Sequence, residues 1–181
     1  MQFKKFNDEV FYLDEKFKRF DHKLFEFLLN KSLENKRRRC RICMHHAPDS
    51  NLHEMFIMHR YGNYVPVHKH LKSEESSLIL NGEGALVCYE ENGDIQEVIY
   101  LNSDATQGCN YLRIPVEQYH SIYIHSEVFC FKETIEGPFS REHYQEASWT
   151  PKEDDLEGVT DFTAKLLLLY QQAKQKNASK I

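Results

Sequence analysis

From about Arg37 to Glu133 the chain is a close succession of short β-branched and aromatic segments separated by turn residues. They are "HEMFIMH" (His53 to His59), "NYVPVHKH" (Asn63 to His70), "SSLILN" (Ser76 to Asn81), "ALVCYE" (Ala85 to Glu90), "IQEVIYL" (Ile95 to Leu101), "YLRIP" (Tyr111 to Pro115), "HSIYIH" (His120 to His125) and "EVFCFKE" (Glu127 to Glu133). Each is too short for a packing helix and carries the residues that favour a pleated, half-buried surface. Asn92-Gly93 between two of them predicts a tight hairpin with a two-residue type I′ turn. Many short strands at such intervals imply a mainly β fold, an antiparallel sandwich or barrel.

Helical periodicity flanks this block. In "DHKLFEFLLNKSLENK" the apolar residues Leu24, Phe25, Leu28, Leu29 and Leu33 fall on one face, and Asp21 is placed to cap the first turn. "VTDFTAKLLLLYQQAKQK" returns to helix, with Phe162, Leu166, Leu169 and Tyr170 as its packing stripe. The expected organisation is a helical segment over residues 1–36, a β-barrel over 37–150 and a helical extension over 151–181. At 181 residues this is one core with terminal decoration.

Composition narrows the function classes. A net charge of -5 argues against general nucleic-acid binding, which needs lysines and arginines matched to rows of phosphates. The one basic run, "NKRRRCR" (Asn35 to Arg41), reads as a solvated connection or as an anion grip. No stretch reaches the about 18 apolar residues of a membrane span, and the first residues lack a signal-peptide pattern, so the expected location is the cytosol. Five cysteines without framework spacing are expected as reduced thiols. Cys40 and Cys43 form a C-x-x-C pair with neither a second metal-binding pair nor a βαβ context.

The chemistry concentrates in "PVHKHLKSEES". On a strand, residues two apart project to the same side, so His68 and His70 can present both imidazoles to one point. Glu75 follows after a gap long enough for a turn and a return on a neighbouring strand, and His120 can add a third nitrogen. Three imidazoles and a carboxylate suit one divalent transition metal, Zn, Fe, Mn, Ni or Cu, with positions left for water or substrate. Lys69 and Glu74 should face away.

These residues resemble the first cupin motif: Gly62, five residues, His68, one residue, His70, four residues, Glu75, six residues and Gly82. The second motif is kept in part in "GCNYLRIPVEQYHSIYIH", where Pro115 and His120 are in place. Glu117 stands where cupins usually have glycine, the spacing from Gly108 is one longer, and Ile124 replaces the usual asparagine. Beyond this, "RRRCRICMH", "YVPVHKHLKSEES", "FKETIEGPF" and "ASWTPKE" resemble the WbuC-type cupin metalloproteins found with bacterial surface-polysaccharide genes. The resemblance implies a jelly-roll barrel with a mononuclear metal site and leaves the reaction open.

Strand parity nominates the surroundings. Tyr64 shares parity with His68 and His70, and Glu133, in the family-like "KETIEGPF" segment, is a candidate proton shuttle; these are the catalytic candidates. Arg39 and Arg41 share one side of an early strand, Tyr111 and Arg113 share a side of another, and Lys72 lies in the loop between the ligands. These five are candidate contacts for a carboxylate or phosphate on a small substrate, an anionic sugar derivative among the candidates. The leading expectation is a metal-dependent small-molecule enzyme, an isomerase, epimerase or oxygenase, in surface-polysaccharide or modified-sugar metabolism. The competing class is a metal-bound module that senses or carries a ligand without turnover, and a metal-free epimerase comes third. A homodimer is expected of a cupin.

Overall fold

The computed structural model describes residues 1–179. Among the described residues twelve strands form two sheets. In chain order they are β1 (Phe3–Lys5), β2 (Val10–Leu13), β3 (Arg39–Cys43), β4 (Leu52–Arg60), β5 (His68–His70), β6 (Glu75–Asn81), β7 (Glu83–Tyr89), β8 (Ile95–Asn102), β9 (Tyr111–Ile114), β10 (Tyr119–Ile124), β11 (Val128–Glu136) and β12 (Tyr144–Glu146). Helix α1 (His22–Glu34) lies between β2 and β3, and α2 (Leu156–Ala178) follows β12. The larger sheet runs β1-β2-β3-β4-β11-β6-β9 and the smaller β12-β5-β10-β7-β8. All pairings are antiparallel except that of β2 with β3.

The sheets pack face to face around Met55, Ile57, Ile79, Leu86, Leu101, Ile114, Phe129, Phe131 and Ile135. Alternation along each strand produces this core, since every second side chain points inward. A single bridge, Leu101 to Cys109, ties β8 to the chain leading into β9. Helix α1 seals the outer face of β3 and β4: Leu24 and Leu28 are fully buried against Cys40, Ile42, Met58 and Cys130. Each such leucine contributes about 1.5–3 kcal/mol through removal from water. Helix α2 covers the outer face of the small sheet with Leu166 and Tyr170, set against Tyr100 and Tyr123, with Phe162 and Leu169 packed at the margin.

Several expectations are corrected. The N-terminal segment is not only helical, because β1 and β2 extend the larger sheet before α1 begins; Asp21 does cap α1, accepting from the Leu24 N–H at 3.1 Å. Leu33 is exposed, and Ser32 is buried in its place by a bond from its hydroxyl to the Leu29 carbonyl. The expected strand Asn63 to His70 is strand only over His68–His70. The Asn92-Gly93 turn is not type I′, since Gly93 alone of the pair has positive φ (90°). Gly93 N–H donates to Glu90 O at 3.0 Å and Glu90 N–H to Asp94 O at 2.8 Å. That is a three-residue loop, a type I turn closed by a left-handed glycine.

Cys40 and Cys43, three apart on β3, lie on opposite faces, one under α1 and one in the barrel core. They cannot pair or chelate together, and burial pushes their thiols up to about 12 and about 11. Among the described residues no helix is long and apolar enough to cross a membrane.

Candidate metal centre

Three short strands and a turn build the site. His68 and His70 lie on β5, and His120 on β10 stands directly opposite His68 in the antiparallel pair. Glu75 opens β6 in the other sheet, so its carboxylate faces the imidazoles from across the barrel. The motif glycines permit this path. Gly62 and Gly82 both have positive φ, and a Cβ on Gly82 would sit 2.4 Å from the Val128 carbonyl oxygen.

His68 Nδ1–H donates to Pro66 O and His120 Nδ1–H to Gln118 O, both at 2.9 Å. Carbonyls only accept, so these bonds set the tautomer and leave both Nε2 lone pairs aimed inward. Ligand atoms of His68, Glu75 and His120 all lie within 4.8 Å of one another. His70 Nε2 is 3.1 Å from one Glu75 oxygen and His120 Nε2 is 3.3 Å from the other. Glu75 is buried, and histidines are its only ionisable partners within 4.0 Å among the described residues. A buried carboxylate held by imidazoles, with no lysine or arginine beside it, is a donor set for a borderline metal ion.

The electrostatics follow from the same contacts. Burial, reinforced by His120, pushes His68 down to about 3, which keeps it neutral. Burial also opposes charge on Glu75 and His120, yet their mutual attraction prevails, holding Glu75 below the usual carboxylate range and His120 above the usual imidazole one. Glu133 faces the same interior from β11, in register with Ser77 of β6 and Met55 of β4. Burial and then the Glu75 charge push its carboxyl up to about 8, so it holds a proton at neutral pH.

The other candidates separate. Tyr64 does not face the histidine–glutamate cluster: its hydroxyl bonds Thr150 at 2.8 Å and donates to Pro151 O at 2.7 Å, and its ring meets Phe162 of α2 edge-on. Strand parity fails because the chain before His68 is not extended strand. Tyr111 and Arg113 lie on the outer face of β9, whose inward residues are Leu112 and Ile114, and Arg113 pairs with Glu74. Lys72 is exposed on the turn between β5 and β6. Arg39 and Arg41 are on the inward side of β3, Arg39 bonded to Glu9 at 2.7 Å. Lys69 points outward, with its ammonium 4.3 Å over the Tyr119 ring and paired with Glu91.

Sequence reasoning missed Tyr144. It stands opposite His70 on β12, and its ring stacks on His68 at 4.9 Å. The stretch "SREHYQEASW" has no strand periodicity, so only the pairing with β5 reveals it. A narrow cleft of about 20 Å³ reaches His70 between His53, Ser73, Phe139 and His143.

Glu117, where cupins usually have glycine, adopts φ 64° all the same, and its N–H donates to His70 O at 2.8 Å. The turn that leads to His120 therefore keeps the backbone conformation that glycine takes without strain. Glu117 is exposed and has no side-chain bond among the described residues, so Glu117→Gly is expected to raise stability by about 0.5–1 kcal/mol. The check is a higher urea midpoint with an unchanged slope.

The comparisons bear on the fold. In Staphylococcus aureus the capsular polysaccharide assembling protein CapF superposes over 62% of this chain and 32% of its own at 19% identity, with a TM-score of 0.51. The fold is that of the cupins. Oxalate decarboxylase of Lactobacillus farciminis is similar over 54% of this chain and 27% of its own, at 16% identity and TM-score 0.42. Protein SO0799 of Shewanella oneidensis matches over 67% of this chain and 75% of its own, at 14% identity and TM-score 0.48. The chain thus spans about a third or less of CapF and of the decarboxylase. Residues 20–101 match a family described as a domain of unknown function, DUF6016. No curated protein matches the chain.

Proposed function

We propose that this cupin is a metal-dependent small-molecule enzyme, related to the WbuC-type proteins, that acts in the cytosol on a sugar-derived substrate of surface-polysaccharide or modified-sugar metabolism. The observation that carries the reading is the convergence of imidazoles from one sheet on the buried Glu75 carboxylate of the other. His68, Glu75 and His120 would hold one divalent transition metal, with His70, already against Glu75, as the fourth ligand. The bound ion would supply Lewis acidity toward a substrate carbonyl or hydroxyl.

The chain's own contribution is proton handling and positioning. Glu133, a buried carboxyl facing the same interior from β11, can donate to a substrate oxygen and recover the proton as the base of the reverse step. Tyr144 presses on the His68 ring and holds its plane. A buried carboxyl facing the same interior as the cluster is of little use to a module that only senses a ligand, and it favours the enzyme over that alternative. A homodimer and the division into residues 1–36, 37–150 and 151–181 belong to the same reading, with β1 and β2 assigned to the barrel.

Metal content decides the matter. Protein purified without chelator or metal-affinity resin is expected to carry near-stoichiometric metal by mass spectrometry, falling at least about tenfold in His70→Ala and His120→Ala. Wild type that stays empty after anaerobic reconstitution would sink the metalloenzyme reading.

A further inference from the structure

We propose that Arg41 forms an oxyanion subsite at the solvent-open mouth of the barrel, on the inner face of β3, so that the substrate is a monosaccharide-sized molecule bearing a carboxylate or phosphate. The inference rests on reading the neighbouring histidine cluster as a metal centre, toward which the other end of that molecule would point.

Arg41 is on the interior face of β3. It stands opposite Ile57 and alternates with Ile42, which is buried under α1, while Cys43, two residues on, lies in the barrel core. Its guanidinium Nη1 approaches the sulfur of Met55, a core residue, at 3.9 Å. The other arginines of the basic run are paired: Arg37 with Glu9 and Glu153, Arg38 with Glu127 at 3.9 Å and Arg39 with Glu9 at 2.7 Å. Arg41 has no carboxylate within 4.0 Å among the described residues, and it is accessible to solvent. An inward, accessible guanidinium without a partner offers its planar fork to a ligand oxyanion.

Placement sets the size of that ligand. Met55, which the guanidinium touches, is directly opposite Glu133 on β11, and β11 pairs in turn with β6, where Glu75 resides. From β4 to β6 is two strand spacings, about 10 Å. That span suits a six-carbon sugar whose charged group sits on Arg41 while a hydroxyl or carbonyl reaches the ligand cluster.

The test is calorimetric titration of metal-loaded protein with gluconate, glucose 6-phosphate and uncharged glucose. The variants are Arg41→Gln, Arg41→Lys and, as an outer-face control, Arg113→Gln, with folding matched by circular dichroism. At least one charged probe is expected to bind ten times or more tightly than glucose. Arg41→Gln should lose that preference, Arg41→Lys should retain part of it, and Arg113→Gln should match wild type. Which probe binds distinguishes a sugar acid from a sugar phosphate. Equal binding by wild type and Arg41→Gln, or no preference for either anion over glucose, overturns the subsite. Repeating the titration on chelator-treated protein separates the two readings. Arg41-dependent binding in a chain that never holds metal keeps the subsite and removes the metal centre, whereas metal loading with Arg41-independent binding does the reverse.

Discussion

Saturating the protein with its divalent metal is expected to raise its melting temperature by about 10 °C, and His120→Ala should abolish the gain. The reasoning is linkage: an ion that binds only the folded state stabilises it by RT ln(1 + [L]/Kd), about 4 kcal/mol at a thousandfold excess over Kd. For a chain of this length each kcal/mol moves the midpoint by about 2–4 °C. His120 of β10 lies far along the chain from His68, His70 and Glu75, and Glu75 meets the imidazoles only across the two sheets, so the unfolded chain offers just part of the donor set. The effect should also exceed one contact's worth, because the ion would relieve a buried carboxylate whose only ion-pair partners within 4.0 Å, among the described residues, are histidines. His46→Ala, on an exposed histidine outside the cluster, is the control and should keep the full gain. A gain of equal size in His120→Ala would place the ion elsewhere.

Much of this was legible in the sequence, for reasons specific to particular residues. Two-residue alternation puts His68 and His70 on one side of β5, which follows from strand geometry alone; Glu75 does not return on a strand beside β5, as its spacing suggests, but crosses to β6 of the other sheet and meets the imidazoles from across the barrel. The order of the middle strands was readable because each is an apolar run closed by turn residues. Tyr64 was misplaced because parity holds only while a strand lasts, and β5 begins at His68. Tyr111 and Arg113 were misplaced because parity assigns residues to a common side without saying which side faces the core; Leu112 and Ile114 decide that. β1, β2 and β12 are three or four residues long, below the length at which periodicity can be recognised, and they exist because a neighbouring strand offers backbone partners. Glu117 shows the complementary case, in which a motif position keeps its backbone conformation after its residue type has changed.

Acid should destabilise this barrel in a window set by His59. The ring is buried on the inner face of β4, hydrogen-bonded through Nδ1 to Asn63 and stacked on Phe131 at 5.7 Å. Burial, with the charges of Arg39 and Arg41 nearby and against the pull of Asn63, pushes its pKa down to about 4. An unfolded chain protonates histidine near 6.5, so between about pH 6.5 and 4 the unfolded state binds a proton that the folded state refuses. Stability is therefore complete above about 6.5 and is lost as pH falls toward 4, by about 3 kcal/mol for this one group. His45, stacked on His53 and also pushed down to about 4 by burial, and His68, pushed down to about 3, should add further proton uptake over the same interval. The His59 part is separable in His59→Gln, whose amide can still donate to Asn63. Urea titrations of metal-free protein at intervals from pH 7 to 4 should give a dependence of stability on pH shallower in the variant by about 1.4 kcal/mol per unit in mid-window. Parallel curves for the two proteins would mean that His59 takes up its proton in the folded barrel, and that its burial is not what limits the fold in acid.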